Sequence, residues 1–78
     1  MHILIGNLNL KTTTSHLSNL FLQFGLVKSV RIIADRLTGH SLGYGYVEMD
    51  NNSGASAIYE LNSVKFMNYY LEVSEAPM

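Results

Sequence analysis

Seventy-eight residues carry five lysines and arginines against six aspartates and glutamates, a formal net charge of −1, so no basic excess points to a polyanionic partner. At 47% hydrophobic and 14% charged the chain lies outside the disordered class, and at this length folding buries only about 60 to 65% of the unfolded surface. The lack of cysteine excludes a disulfide framework and a thiolate zinc site, and the start "MHILIGNLNL" has neither the basic lead nor the long apolar run of a signal peptide. The expectation is one domain, residues 1 to 78, in the cytoplasm, with no membrane span.

Residues 2 to 6, "HILIG", are apolar and β-branched and close on the turn pair Gly6-Asn7, which makes them the first strand. From residue 14 to 24, Leu17, Leu20, Phe21 and Phe24 form one apolar stripe at helical spacing. Thr13, Thr14 or Ser15 can cap its start and Gly25 its end. "VKSVRIIA", residues 27 to 34, is a β-branched strand, and "DRLTGHS" supplies the Asp and Gly of a turn into a third strand, "YGYVEM". The two should form a hairpin. "DNNS" then offers N-caps for a second helix that ends near Asn62 and turns Ala57, Ile58 and Leu61 inward. "YLEVS", residues 70 to 74, is the last strand, just before the sole proline, Pro77.

Two helices distributed among four strands in this order predict an α+β fold. It is the ferredoxin-like βαββαβ sandwich, a four-stranded antiparallel sheet with both helices on one face. Period-two alternation then assigns the faces. With Ile3, Ile5, Val30, Ile32, Val47, Met49, Leu71 and Val73 inward, the outer face carries Leu4, Arg31, Ile33, Tyr44, Tyr46, Glu48, Tyr70 and Glu72. So large an apolar and aromatic surface calls for a partner. Every nucleobase has a π-face, so rings on a flat sheet can stack an unpaired base at roughly 1 to 3 kcal/mol each. Gly43 and Gly45 alternate with the tyrosines. Gly45 is expected on the helix side for close packing, and Gly43 where the strand bends or bulges.

These residues resemble the RNA recognition motif family. "ILIGNL", residues 3 to 8, matches the family's hexamer, and "LGYGYVEM", residues 42 to 49, its octamer [K/R]-G-[F/Y]-[G/A]-F-V-x-[F/Y]. The likeness spans the whole chain and is similar, more narrowly, to small bacterial proteins made of one such domain. The resemblance implies that the chain binds single-stranded RNA, and single-stranded DNA as well, with Tyr46 stacked on a base and Tyr44 packed against a ribose. The sequence departs from the pattern at three places that bear on binding. The hexamer's aromatic is Leu4, which covers a base without a ring's quadrupole. The octamer's opening cation is Leu42, leaving Arg36 or His40 to substitute from the turn. A glycine before the last strand is Asn68, followed by Tyr69 and Tyr70, so Tyr70 can add a ring. Arg31, with Lys28, Arg36 and Lys11, is a candidate phosphate partner. Asn7 occupies the hexamer's asparagine and should shape the turn after the first strand.

Catalysis is not indicated. Gly43-Tyr44-Gly45 lacks the third glycine and the following helix of a dinucleotide loop, so no such cofactor is expected. "GNLNLKTTTSH" contains no arginine of the kind that phosphate loops on similar strand orders use. His2, His16 and His40 are scattered over three elements, which argues against a metal site. No nucleophilic triad or carboxylate pair is discernible, so no small-molecule substrate is expected. The alternative is a protein-binding or self-associating module, a weak homodimer that uses the same neutral, leucine-containing face.

Overall fold

A computed structural model describes residues 1 to 77. The elements run β1 (His2–Gly6), α1 (Thr14–Leu22), β2 (Val27–Ala34), β3 (Ser41–Met49), α2 (Asn51–Leu61), β4 (Lys65–Phe66), β5 (Tyr69–Tyr70) and β6 (Glu72–Glu75). Strands β2, β3, β1 and β6 form one sheet in that order, every neighbouring pair antiparallel. The central strands are therefore β3 and β1, which hold the octamer and the hexamer. Among the described residues no helix is long and apolar enough to cross a membrane.

Alternation works as the sequence implies. Ile3, Ile5, Val47, Met49, Leu71 and Val73 are buried against Leu17 and Phe21 of α1 and Ala57 and Leu61 of α2, while Leu20, Phe24, Val30, Ile32, Ile58 and Phe66 pack half-buried around them. Fully burying one such side chain contributes about 1.5 to 3 kcal/mol. Both helix stripes thus cover one face of the sheet and leave the other open.

Helix α1 starts where Thr13 accepts from the His16 N–H at 3.2 Å while His16 Nδ1 accepts from the Thr13 N–H at 3.0 Å, a capping box with His in place of the usual Glu. It ends at Leu22 rather than at residue 24. The Phe24 N–H donates to the Phe21 carbonyl at 3.0 Å, so the last turn tightens, yet Phe24 still reaches the core from it. The apolar stripe therefore outlasts the helix.

The last strand also differs. Residues 70 to 74 do not form one strand: the Leu71 N–H donates to the Val64 carbonyl and its own carbonyl accepts from the Ser63 N–H, each at 2.8 Å. Leu71 is thereby tied to the segment after α2. Tyr69–Tyr70 pairs with Lys65–Phe66 in a hairpin turned by Met67 and Asn68, both at positive φ (49° and 75°). The large sheet resumes at Glu72, which pairs with Gly6.

Candidate nucleic-acid interface

Strand register sets Arg31, Tyr46, Leu4 and Ser74 in one row across the open face. The next row toward the start of β1 is Ser29, Glu48 and His2. Tyr44 lies on the other side of Tyr46, their ring centroids 6.2 Å apart and their planes at 79°, an edge-to-face contact. The Arg31 Cζ stands 5.7 Å from the centre of the Tyr46 ring, within cation–π range. Leu4, Tyr44 and Tyr46 are each half-buried, so their apolar surfaces remain available from outside.

Two glycines make this arrangement possible. Gly45 is buried on the helix side as alternation requires, but the group that needs its missing side chain is β2: an added Cβ would collide with the Arg31 carbonyl oxygen and lie 3.2 Å from the Ile32 Cα. On the opposite face of this tightly paired segment Arg31 is the register partner of Tyr46. Gly43 sits at φ +84° in a bulge, where Ile33 alone opposes residues 42 to 44. Its carbonyl accepts from the Leu8 N–H at 2.9 Å, so the bulge pins the loop that follows β1.

A groove of about 330 Å³ opens beside Tyr46. Its floor is Tyr46, Arg31, Glu48, Ser29 and His2, and Ala76 and Pro77 border it. The Ala76 N–H donates to the His2 carbonyl at 2.8 Å, which holds that border against β1. Glu48 Oε1 accepts from the Ser29 hydroxyl at 3.2 Å and lies 3.8 Å from His2 Nε2.

Of the residues expected at the site, Tyr44, Tyr46, Leu4 and Arg31 come together on the sheet, and the others lie around it. Asn7 adopts φ 58° and donates from Nδ2 to the Tyr70 carbonyl at 2.8 Å, a strut from the end of β1 to β5. Tyr70 is consequently outside the four-stranded sheet, in the hairpin, with 61% of its surface exposed. Arg36 and His40 are exposed in the loop between β2 and β3. Asp35 shapes that loop: its Oδ1 accepts from the Leu37 and Thr38 N–H groups at 2.9 Å, and its own N–H donates to the His40 carbonyl at 2.8 Å. Those backbone donors, Thr38 first, hold the Asp35 carboxyl below its ordinary range.

His2, Ser29, Ala76 and Pro77 also line the groove, outside the set of residues that the sequence assigns to the site. Parity places His2 with Leu4 and Ser29 with Arg31, a signal that was present. For Ala76 and Pro77, beyond the last strand, alternation offers none. Among the described residues no three His, Asp or Glu side chains gather into a metal-holding group.

The RNA recognition motif family model matches residues 3 to 72. RbpA of Nostoc sp., named as an RNA-binding protein, is 39% identical over 97% of this chain and 76% of its own length. The crystal structure of RNA binding protein PG1 superposes with a TM-score of 0.95 at 45% identity, covering 97% of this chain and 93% of that one. The Rna15 domain solved with bound RNA (GU) superposes with a TM-score of 0.85 at 26% identity, over 96% of this chain and 81% of that one. With hexamer and octamer paired on neighbouring central strands and this match along nearly its whole length, the chain belongs to the RNA recognition motif family.

Proposed function

We propose that the chain is a non-enzymatic module that binds RNA, taking an unpaired strand across the open sheet with one base on Tyr46 and a sugar against Tyr44. The observation that carries this reading is the pair of half-exposed rings on successive outward positions of the central strand β3, one of them under a guanidinium. RbpA's name and the RNA in the Rna15 structure support it.

Leu4, the cross-strand neighbour of Tyr46, covers part of the same or the adjoining base. Arg36 and His40 reach phosphates from their loop, Tyr70 meets the strand beyond the end of β1, and Asn7 steadies that edge. Stacking does not involve the 2′-hydroxyl, so single-stranded DNA binds as well.

Short randomised pools of single-stranded RNA and DNA, titrated at low salt, test the reading. Tyrosine fluorescence should be quenched and the amide signals of β1 and β3 should move. Binding weaker than about 1 mM for both pools, some 4 kcal/mol, would overturn it. A concentration-dependent dimer that buries the sheet would instead favour self-association.

A further inference from the structure

The groove beside Tyr46 has the chemistry to choose among bases. Glu48 lies two residues beyond Tyr46 on the same face of β3, and Arg31 is the cross-strand neighbour of Tyr46 on β2. A base on Tyr46 therefore meets an acceptor-only group and a donor-only group. The carboxylate is also oriented: Ser29 donates to Oε1 at 3.2 Å and His2 stands 3.8 Å from the same oxygen. Oε2 has no hydrogen-bond partner among the described residues, and a carboxylate has about four lone-pair sites in all. Ala76 and Pro77 border the space in which the base would lie.

The four bases answer this pair differently. Guanine places two adjacent donors, N1–H and the 2-amino group, where a carboxylate can accept both, and carries O6 and N7 as acceptors for a guanidinium. Adenine and cytosine set a ring-nitrogen acceptor beside their amino group, so one carboxylate oxygen would face a lone pair. Uracil has a single N–H flanked by two carbonyls. We propose that Glu48, with Arg31, makes this groove a guanine-selective subsite, with Ser29 as the residue that positions the carboxylate. The assignment rests on Tyr46 being the stacking platform.

Four RNA pentamers, UUNUU with N as G, A, C or U, test it by titration. The G pentamer should bind tightest, by about tenfold, the scale of a good bidentate base contact. Inosine in place of G, which lacks the 2-amino group, should lose several-fold. Glu48→Gln should shrink the guanine preference several-fold, with Arg31 keeping the remainder. Four equal affinities in the unaltered protein, inosine as tight as guanine, or a preference undiminished in Glu48→Gln each overturn the guanine assignment alone. Failure of every pentamer to bind overturns the single-strand reading and this assignment together. The inosine comparison uses the unaltered protein and does not depend on a variant folding.

Discussion

At Gly45 the backbone is the constraint, and Tyr46 is its beneficiary. Any Cβ at residue 45 meets the Arg31 carbonyl oxygen, a main-chain atom that can move only if β2 moves with it. Gly45→Ala should therefore destabilise the fold by about 1 to 3 kcal/mol, the usual cost of overpacking, seen as a lowered urea midpoint. It should also loosen Arg31 from the ring it stands over. Tyr46 itself is half-buried on the outside, so removing its ring should cost binding more than folding. Tyr46→Ala is expected to weaken oligonucleotide binding by roughly 1 to 3 kcal/mol, and Tyr46→Phe, which keeps the π-face, by little. Titration of both variants, with amide spectra to show a retained fold, checks this. The tyrosines were legible because alternation acts on each strand separately. The reason for Gly45 was not, because the clash belongs to a neighbouring strand whose approach no local pattern encodes.

Elements report their boundaries through hydrogen bonds that composition only suggests. Helix α2 is capped by Asp50, whose carboxylate accepts from the Ser53 N–H and the Ser53 hydroxyl, each at 2.9 Å. These donors, the backbone N–H first, hold the Asp50 carboxyl below its ordinary range, with a smaller contribution from the charge of Lys28. A carboxyl with a lower pKa folded than unfolded stabilises the fold above the unfolded value of about 3.9 and loses that contribution as pH falls through the folded value. Asp50→Asn keeps a capping oxygen but does not titrate. Its melting temperature should therefore fall less steeply than the parent's on acidification below about pH 4, and an identical profile would show that Asp50 contributes nothing to the acid sensitivity. At α1, Thr13→Ala should cost about 1 kcal/mol, because it leaves the His16 N–H without its acceptor. The cap candidates, both helix stripes and the order of the main strands could be read from residue type and spacing. The small hairpin could not. It depends on Met67 and Asn68 both taking positive φ, and a methionine gives no warning of that. Its strands are two residues each, too short for alternation to register, and Leu71 diverts its hydrogen bonds to Ser63 and Val64. Tyr70 consequently leaves the sheet to which a continuous strand would have assigned it.

For the molecule as a whole, a net charge of −1 means that attraction to a polyanion cannot come from bulk electrostatics. Glu48 and Glu72 lie on the open face, and Glu75 is exposed at the end of β6. Lys28, whose charge is felt by Asp50, sits near the start of α2 rather than on the tyrosine platform. Arg31 is committed to the Tyr46 ring and, on the proposal above, to a base edge. On the proposed reading, Arg36 and Lys11, both exposed, are the cations left to neutralise phosphates, His40 adding no formal charge when neutral. Each neutralised phosphate contributes about −0.7 to the dependence of log K on log salt for a single strand, so two give a slope near −1.4. Titrations of a G-containing oligonucleotide across a tenfold range of salt should return that shallow value. Arg36→Ala should reduce its magnitude by about 0.7. Arg31→Ala should leave the slope unchanged and narrow the gap between guanine and the other bases, since the charge it removes serves a ring and a base edge rather than the backbone. A slope that instead drops by about 0.7 in Arg31→Ala would place its guanidinium on a phosphate and leave guanine to Glu48 alone.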